Sequence, residues 1–284
     1  MLQIAGTLRP DGLWDCLPDH LRPEKAQVKG FYDETGWKTD DAGEYVDAAL
    51  FVDRRGYADR YLARCRARVL AHLPQGGEYL LDVASGPVHF PEYRAYSERF
   101  EHRVCVDLSE TALHDARRNV GDTGVYVLGD VTRLPLETGT VDAAVSLHTL
   151  YHVPSDEQAA AFREIHRVLK PGGVAVIVYY WQTPHFADLN LAGKLLALPG
   201  RVIRRLTRSR ASDAQGELYY HAHTRQWFEA QDWPFRADVL SWSSVDTGTL
   251  HRLGPATRVL FWLEARFPRL FGRRGYPMIV IRKN

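Results

Sequence analysis

Two histidine-bearing segments and three strand-ending acids are the side chains in this chain best suited to chemistry. Leu147-His-Thr-Leu-Tyr-His-Val153 carries His148 and His152, and Tyr219-Tyr-His-Ala-His-Thr-Arg225 adds His221 and His223. A neutral imidazole titrates near pH 7 and suits a general base. The His-x-His spacing is too common to specify a metal ion, and none is expected. The acids are Asp82, Asp107 and Asp130, within Tyr79-Leu-Leu-Asp-Val-Ala-Ser-Gly-Pro-Val88, Arg103-Val-Cys-Val-Asp107 and Val125-Tyr-Val-Leu-Gly-Asp130. Short apolar runs of this kind read as buried strands, and an open parallel sheet binds its ligand at the carboxyl edge of the strands. Three carboxylates delivered to one edge make a rim for a ligand rich in hydroxyl and amino groups.

The elements that position them follow from periodicity. Apolar residues at 57, 61, 62, 65, 69, 70 and 73 form a helical stripe that leads into the first strand. Ser109 is placed to N-cap a helix over Glu110–Asn119. Ser155-Asp-Glu-Gln158 has capping-box spacing ahead of Phe162, Ile165 and Leu169. Phe235–Val245 and Tyr276–Ile281 read as strands, with helices over His223–Gln231 and Pro255–Phe267. Strands alternating with helices imply parallel pairing. Residues 1–30, rich in turn formers, read as an irregular arm.

The 284 residues suffice for one large domain with insertions, and 45% hydrophobic with 25% charged residues is ordinary for a globular chain. A net charge of +1 gives no support for a nucleic-acid surface. The 3 cysteines, Cys16, Cys65 and Cys105, are scattered and suit buried thiols. No apolar run approaches bilayer length, and the first residues lack an export pattern; a cytoplasmic enzyme is the expectation.

The motif order resembles that of the class I S-adenosylmethionine (SAM)-dependent methyltransferases. Leu81-Asp-Val-Ala-Ser-Gly86 is similar to their first motif, D-x-G-x-G-x-G, and Asp107 and Asp130 match the acids after the second and third strands. Val141-Asp-Ala-Ala-Val-Ser-Leu147 matches the fourth strand, and Arg163-Glu-Ile-His-Arg-Val-Leu-Lys-Pro-Gly-Gly173 the helix and turn before the fifth. The resemblance covers residues 57–180 well and the remainder loosely. It implies an α/β, Rossmann-like fold: a seven-stranded, mostly parallel sheet with helices on both faces and helical cap insertions. The organisation expected is an arm or lid over 1–56, a SAM-binding core over 57–183, a cap insertion over 184–223, and the rest of the sheet with an inserted helix over 224–284.

SAM is the cofactor the resemblance implies. Asp82, Ala84, Gly86, Asp107, Leu108, Asp130, Val131, Leu147 and His148 are its expected contacts, with Asp107 on the ribose hydroxyls and Asp130 and Val131 at the adenine. Ala84 and Val88 stand where glycines are usual, and Pro87 follows Gly86; an alanine is tolerated there if its backbone angles are ordinary. Catalysis is expected from His152, His148, His221 or His223, and acceptor contacts from Tyr32, Trp37 and Tyr151, although these aromatics suit a core equally well. The expected reaction is methyl transfer to a small-molecule or glycan-type acceptor, at oxygen with a histidine base. Alternatives are an amine acceptor, a SAM-binding protein without methyl transfer, and a peripheral membrane enzyme acting on a lipid-linked substrate, the last suggested by the leucine- and arginine-rich stretch Leu189–Arg210. Membrane contact is the less favoured reading of that stretch, and oligomeric state is not legible.

Overall fold

The computed structural model describes residues 2–41, 43–51, 56–182, 218–245 and 247–284. The expected cap over 184–223 therefore lies outside the described residues up to 217, as does Leu189–Arg210. Two short strands open the chain, β1 (Thr7–Leu8) and β2 (Trp14–Asp15). Helix α1 (Pro23–Phe31) runs into a π-helical turn at Tyr32–Gly36, and α2 (Val46–Phe51) and α3 (Gly56–Arg68) follow. The core then alternates: β3 (Gly77–Val83), α4 (Pro91–Ala95), β4 (Phe100–Asp107), α5 (Glu110–Val120), β5 (Gly124–Leu128), β6 (Val141–Leu147), α6 (Gln158–Val168) and β7 (Leu169–Val178). The chain ends with α7 (Arg225–Glu229), β8 (Arg236–Ser243), α8 (Thr247–Leu253), α9 (Thr257–Arg266), α10 (Pro268–Phe271) and β9 (Tyr276–Arg282).

The strands form one sheet in the order β1-β2-β5-β4-β3-β6-β7-β9-β8. Pairing from β5 to β7 is parallel, and β9 runs antiparallel to both β7 and β8. Neighbouring residues in a strand face opposite sides, and here both sides are buried. Leu81 and Ile177 meet Phe162 and Ile165 of α6 on one face, while Leu80 and Val176 meet Leu62 and Cys65 of α3 on the other. Strand order reverses at β3, which opens a crevice at the carboxyl ends of β3, β4 and β6.

The nine strands among the described residues exceed the seven expected because the arm is not irregular. β2 pairs in parallel with β5, and the Cys16 amide donates to the Leu128 carbonyl at 2.9 Å. This satisfies an edge that would otherwise expose unpaired backbone groups. Ser109 caps α5 as expected, accepting from the Ala112 amide at 3.0 Å. Ser155 makes no capping box: α6 starts at Gln158 after Glu157, and the Ser155 amide donates instead to the Tyr219 hydroxyl at 3.1 Å.

One buried ion pair crosses the centre of the sheet. Arg103 on β4 is 1% exposed and donates through Nε to Asp82 on β3 at 3.1 Å, while its Nη1 reaches the Tyr93 carbonyl at 2.6 Å. Removing one member strands the other charge in the interior. Arg103→Ala is expected to cost ~3–5 kcal/mol in urea unfolding; a loss below ~1 kcal/mol, the range of a surface pair, would contradict this placement.

Candidate functional site

The turn after β3 departs from the expected conformation. Ala84, Gly86 and Val88 all have left-handed backbones, with φ of 54°, 55° and 53°. Ala84 therefore does not sit at ordinary angles. The turn keeps a glycine-like path with an alanine and a β-branched residue in two of its three left-handed positions. The Ala84 amide is tied to the Val106 carbonyl at 2.7 Å, and the Val88 side chain is buried against Leu113 and Ala116 of α5. These anchors offset the strain, which runs to ~1–2 kcal/mol per residue. At Gly86 a Cβ would lie 3.1 Å from the Trp37 ring, so the absence of a side chain lets the arm close onto the turn.

Asp107, at the end of β4, holds this turn to the next helix. Its Oδ2 accepts from the Gly86 amide at 2.9 Å and its Oδ1 from the Ser109 amide at 2.8 Å. Burial pushes its carboxyl up to about 6 against the lowering effect of those amides. Asp130 takes the Thr132 amide at 2.9 Å on Oδ1 and the Lys25 ammonium on Oδ2. Ala84, Asp107, Leu108, Asp130, Val131 and His152 line one cavity, closed on its outer side by Lys25 and Val28 of α1. Asp82 lies beneath that cavity with its charge committed to Arg103. Leu147 ends β6 and His148 follows it; neither lines this cavity, nor do Asp82 and Gly86.

The arm reaches every side of this edge. Lys25 also pairs with Glu157, and Asp33 accepts from the Ser109 hydroxyl at 2.6 Å. Tyr32 stacks on Trp37 with centroids 4.9 Å apart and meets the His152 ring edge-on at 6.4 Å. Tyr151 packs against His152 at 4.7 Å, and Tyr220 against both. Tyr32, Trp37, Tyr151 and His152 are thus brought together. Asp47 on α2 faces the same group: burial pushes its carboxyl up to about 7, and its charge bears on the Tyr32, Tyr93 and Tyr151 phenols. Asp47, Lys25, Asp33 and Arg103 were not legible as site residues. Lys25 and Arg103 are explained by partners far away in the chain, and Asp33 reaches Ser109 across it.

His221 and His223 contact one another, whereas His148 and His152 pack against different aromatic neighbours. His152 Nδ1 lies 2.8 Å from the Tyr219 carbonyl, which requires the proton on Nδ1 and leaves Nε2 as an acceptor. Burial lowers its pKa to about 4, so the ring is neutral at pH 7. His148 has a left-handed backbone at φ 60° and sits between Trp242 and Tyr276, its pKa lowered to about 3 by burial. His221 and His223 contact one another at 4.8 Å. The His223 ring stacks on Trp227 at 3.7 Å and bonds the Ser155 carbonyl at 2.9 Å. Both belong to the segment that presents the Tyr219 carbonyl to His152.

The strained turn gives a direct test. Ala84→Gly is expected to stabilise the protein by ~0.5–1 kcal/mol, since relief of a left-handed alanine outweighs the added freedom of the unfolded chain. Val88→Gly is expected to destabilise it through lost burial of about 2 kcal/mol. Denaturant midpoints that fall for both would contradict the left-handed assignment at Ala84.

Comparison with known proteins agrees with this geometry. A family model described as a methyltransferase domain matches residues 81–177. The chain is 32% identical over 115 residues to an uncharacterized methyltransferase, YdaC, of Bacillus subtilis, covering 40% of this chain and 61% of that protein. It is 28% identical over 164 residues to the ubiquinone/menaquinone biosynthesis C-methyltransferase UbiE of Roseobacter denitrificans, covering 56% and 63%. The matches thus span less than two thirds of either relative. Among solved structures, a geranyl diphosphate C-methyltransferase from Streptomyces coelicolor, in complex with Mg2+, geranyl diphosphate and S-adenosyl-L-homocysteine, superposes with a TM-score of 0.54 at 17% identity, over 93% of this chain and 98% of that one. That likeness is one of fold. Among the described residues no helix is long and apolar enough to cross a membrane. The acid-tipped strands over residues 81–177 thus lie in a stretch that matches a methyltransferase domain.

Proposed function

We propose that this protein is a cytoplasmic enzyme that transfers a methyl group from SAM to a hydroxyl of a small-molecule or glycan-type acceptor, with His152 as the base. The observation that carries this reading is the neutral His152 ring, fixed by the Tyr219 carbonyl, on the wall of the cavity that also holds Asp107 and Asp130. The donor set fits the cofactor. Asp107, ionised above about pH 6 and already held by two amides, has lone pairs left for the ribose hydroxyls. Asp130 and Val131 suit the adenine edge. The open path at Gly86, with Ala84 and Leu108 beside it, suits close approach of the chain to the rest of the molecule, and Leu147 and His148 flank the methionine part. The enclosed cavity is only about 40 Å3, against ~300 Å3 or more for an ordinary small-molecule site. Entry therefore needs α1 and the Tyr32–Trp37 turn to move, and the arm over 1–56 acts as a lid.

The cofactor supplies an electrophilic methyl on a positively charged sulfur. The protein's part is alignment, exclusion of water and removal of one proton. Tyr32, Trp37 and Tyr151 would orient the acceptor, and His152 Nε2 would take the hydroxyl proton as the oxygen–carbon bond forms. The resulting imidazolium keeps its Nδ1–H bond to Tyr219. His221 and His223 hold the segment that carries that carbonyl: the His221 amide donates to the Tyr151 carbonyl at 2.8 Å and the His223 ring pins Ser155.

A second reading, an amine acceptor, is favoured by Asp47. A carboxylate beside the Tyr32 and Tyr151 rings suits an ammonium group, which needs little help from a base. The experiment is an acceptor screen with methyl-labelled SAM, followed by variants. His152→Gln is expected to lower kcat by ~10²–10⁴ while S-adenosylhomocysteine affinity stays within about twofold of wild type. Retained turnover in His152→Gln, with KM raised about tenfold or more in Asp47→Asn, would reject the hydroxyl reading in favour of the amine.

A further inference from the structure

Helix α9 packs Leu260 and Phe261 against the core yet leaves other large apolar side chains outside it. Glu264, 0% exposed, and Thr257 point into the protein, where the Glu264 carboxylate accepts from the Tyr61 hydroxyl at 2.7 Å and the Ser244 amide at 2.9 Å. The opposite stripe carries large apolar side chains: Val259 is 58% and Trp262 62% exposed, and Phe267 and Leu270 extend the surface onto α10, Leu270 at 60%. At 100° per residue, Arg258, Val259, Trp262 and Arg266 fall within one stripe about 100° wide. A helix that buries its acid and presents tryptophan, valine and leucine to solvent has its apolar face directed at something outside the fold.

The charges say what that something is. Residues 252–274 carry Arg252, Arg258, Arg266, Arg269, Arg273 and Arg274, while their single acid is the buried Glu264. Among the described residues only Arg269 has an acidic partner, Asp238. A cavity of about 410 Å3 opens beside the stripe between α3 and α9, lined by Arg60, Arg64 and Arg258 over Tyr57 and Phe261. Among the described residues no carboxylate lines it. A second copy of the chain meeting this face across a twofold axis would set arginine against arginine. Residues 183–217 are themselves basic, with six lysines and arginines against Asp188, Asp213 and Glu217, and offer little counter-charge.

We propose that the α9–α10 surface docks the protein onto an anionic membrane, with Val259, Trp262, Phe267 and Leu270 entering the interface and the arginines pairing with lipid phosphates. Aromatic and leucine side chains ringed by arginine match the apolar and charged layers of such a surface.

The test is flotation of the full chain with phosphatidylcholine vesicles and with vesicles containing about 30 mol% phosphatidylglycerol. The expected result is flotation with the anionic vesicles only, reduced at about 0.5 M salt. Trp262→Ala/Leu270→Ala and Arg258→Glu/Arg266→Glu should each lower partitioning more than tenfold, with unfolding midpoint and S-adenosylhomocysteine affinity unchanged because these side chains are exposed. Wild-type protein that stays in solution with anionic vesicles overturns the proposal. So do variants that float like wild type, which would place the contact elsewhere, and a wild-type dimer in sedimentation velocity that the variants lose, which would assign the face to a second copy.

Discussion

The site depends on one carboxylate held between two amides. Asp107 ends β4, takes the Gly86 amide from the turn after β3 and the Ser109 amide that opens α5, and so sets the distance between two crossovers. Its cost is burial, visible as a carboxyl raised to about 6. The rest of the edge is built around that cost. Arg103 neutralises Asp82 below it, Lys25 neutralises Asp130 beside it, and Asp33 on the arm bonds the same Ser109. A parallel sheet brings its strand ends to one side by topology alone; the ion pairs let three acids coexist there.

The turn after β3 shows how a motif can keep its backbone while losing its residues. Glycine is usual where the chain is left-handed because no Cβ opposes it. Here Ala84 and Val88 adopt the same angles, one anchored by a strand carbonyl and the other by packing on α5. The family resemblance therefore extends to shape at positions where it fails in residue type. Among the described residues, His148 is the third non-glycine residue with a positive φ; it follows the neighbouring strand, so strained backbone gathers at the crevice.

Most of the core was legible because periodicity and turn chemistry act locally. β6 spans Val141–Leu147 as the resemblance implied, α5 starts from the Ser109 cap, and β9 covers the expected Tyr276–Ile281. What was missed depends on distant partners. The arm reads as irregular until β5 offers it an edge. Ser155 reads as a cap until Tyr219 takes its amide. Lys25 reads as a solvated helix charge until Asp130 and Glu157, more than a hundred residues away, surround it. The four histidines looked able to converge, but His148 packs on Trp242 and Tyr276 and His223 on Trp227, while His152 bonds the Tyr219 carbonyl. Nothing in the fold selects the acceptor, because one scaffold carries many chemistries; the aromatic wall and Asp47 are the features that would.

The most direct measurement is calorimetric titration with S-adenosylhomocysteine of the wild type and of Asp107→Ala, at pH 8 and at pH 5. Binding through an ionised Asp107 predicts micromolar affinity for the wild type at pH 8, at least about tenfold loss in Asp107→Ala, and wild-type affinity that falls as pH drops through about 6. Equal affinity in wild type and Asp107→Ala, or no binding by folded wild-type protein, would contradict the role assigned to this carboxylate.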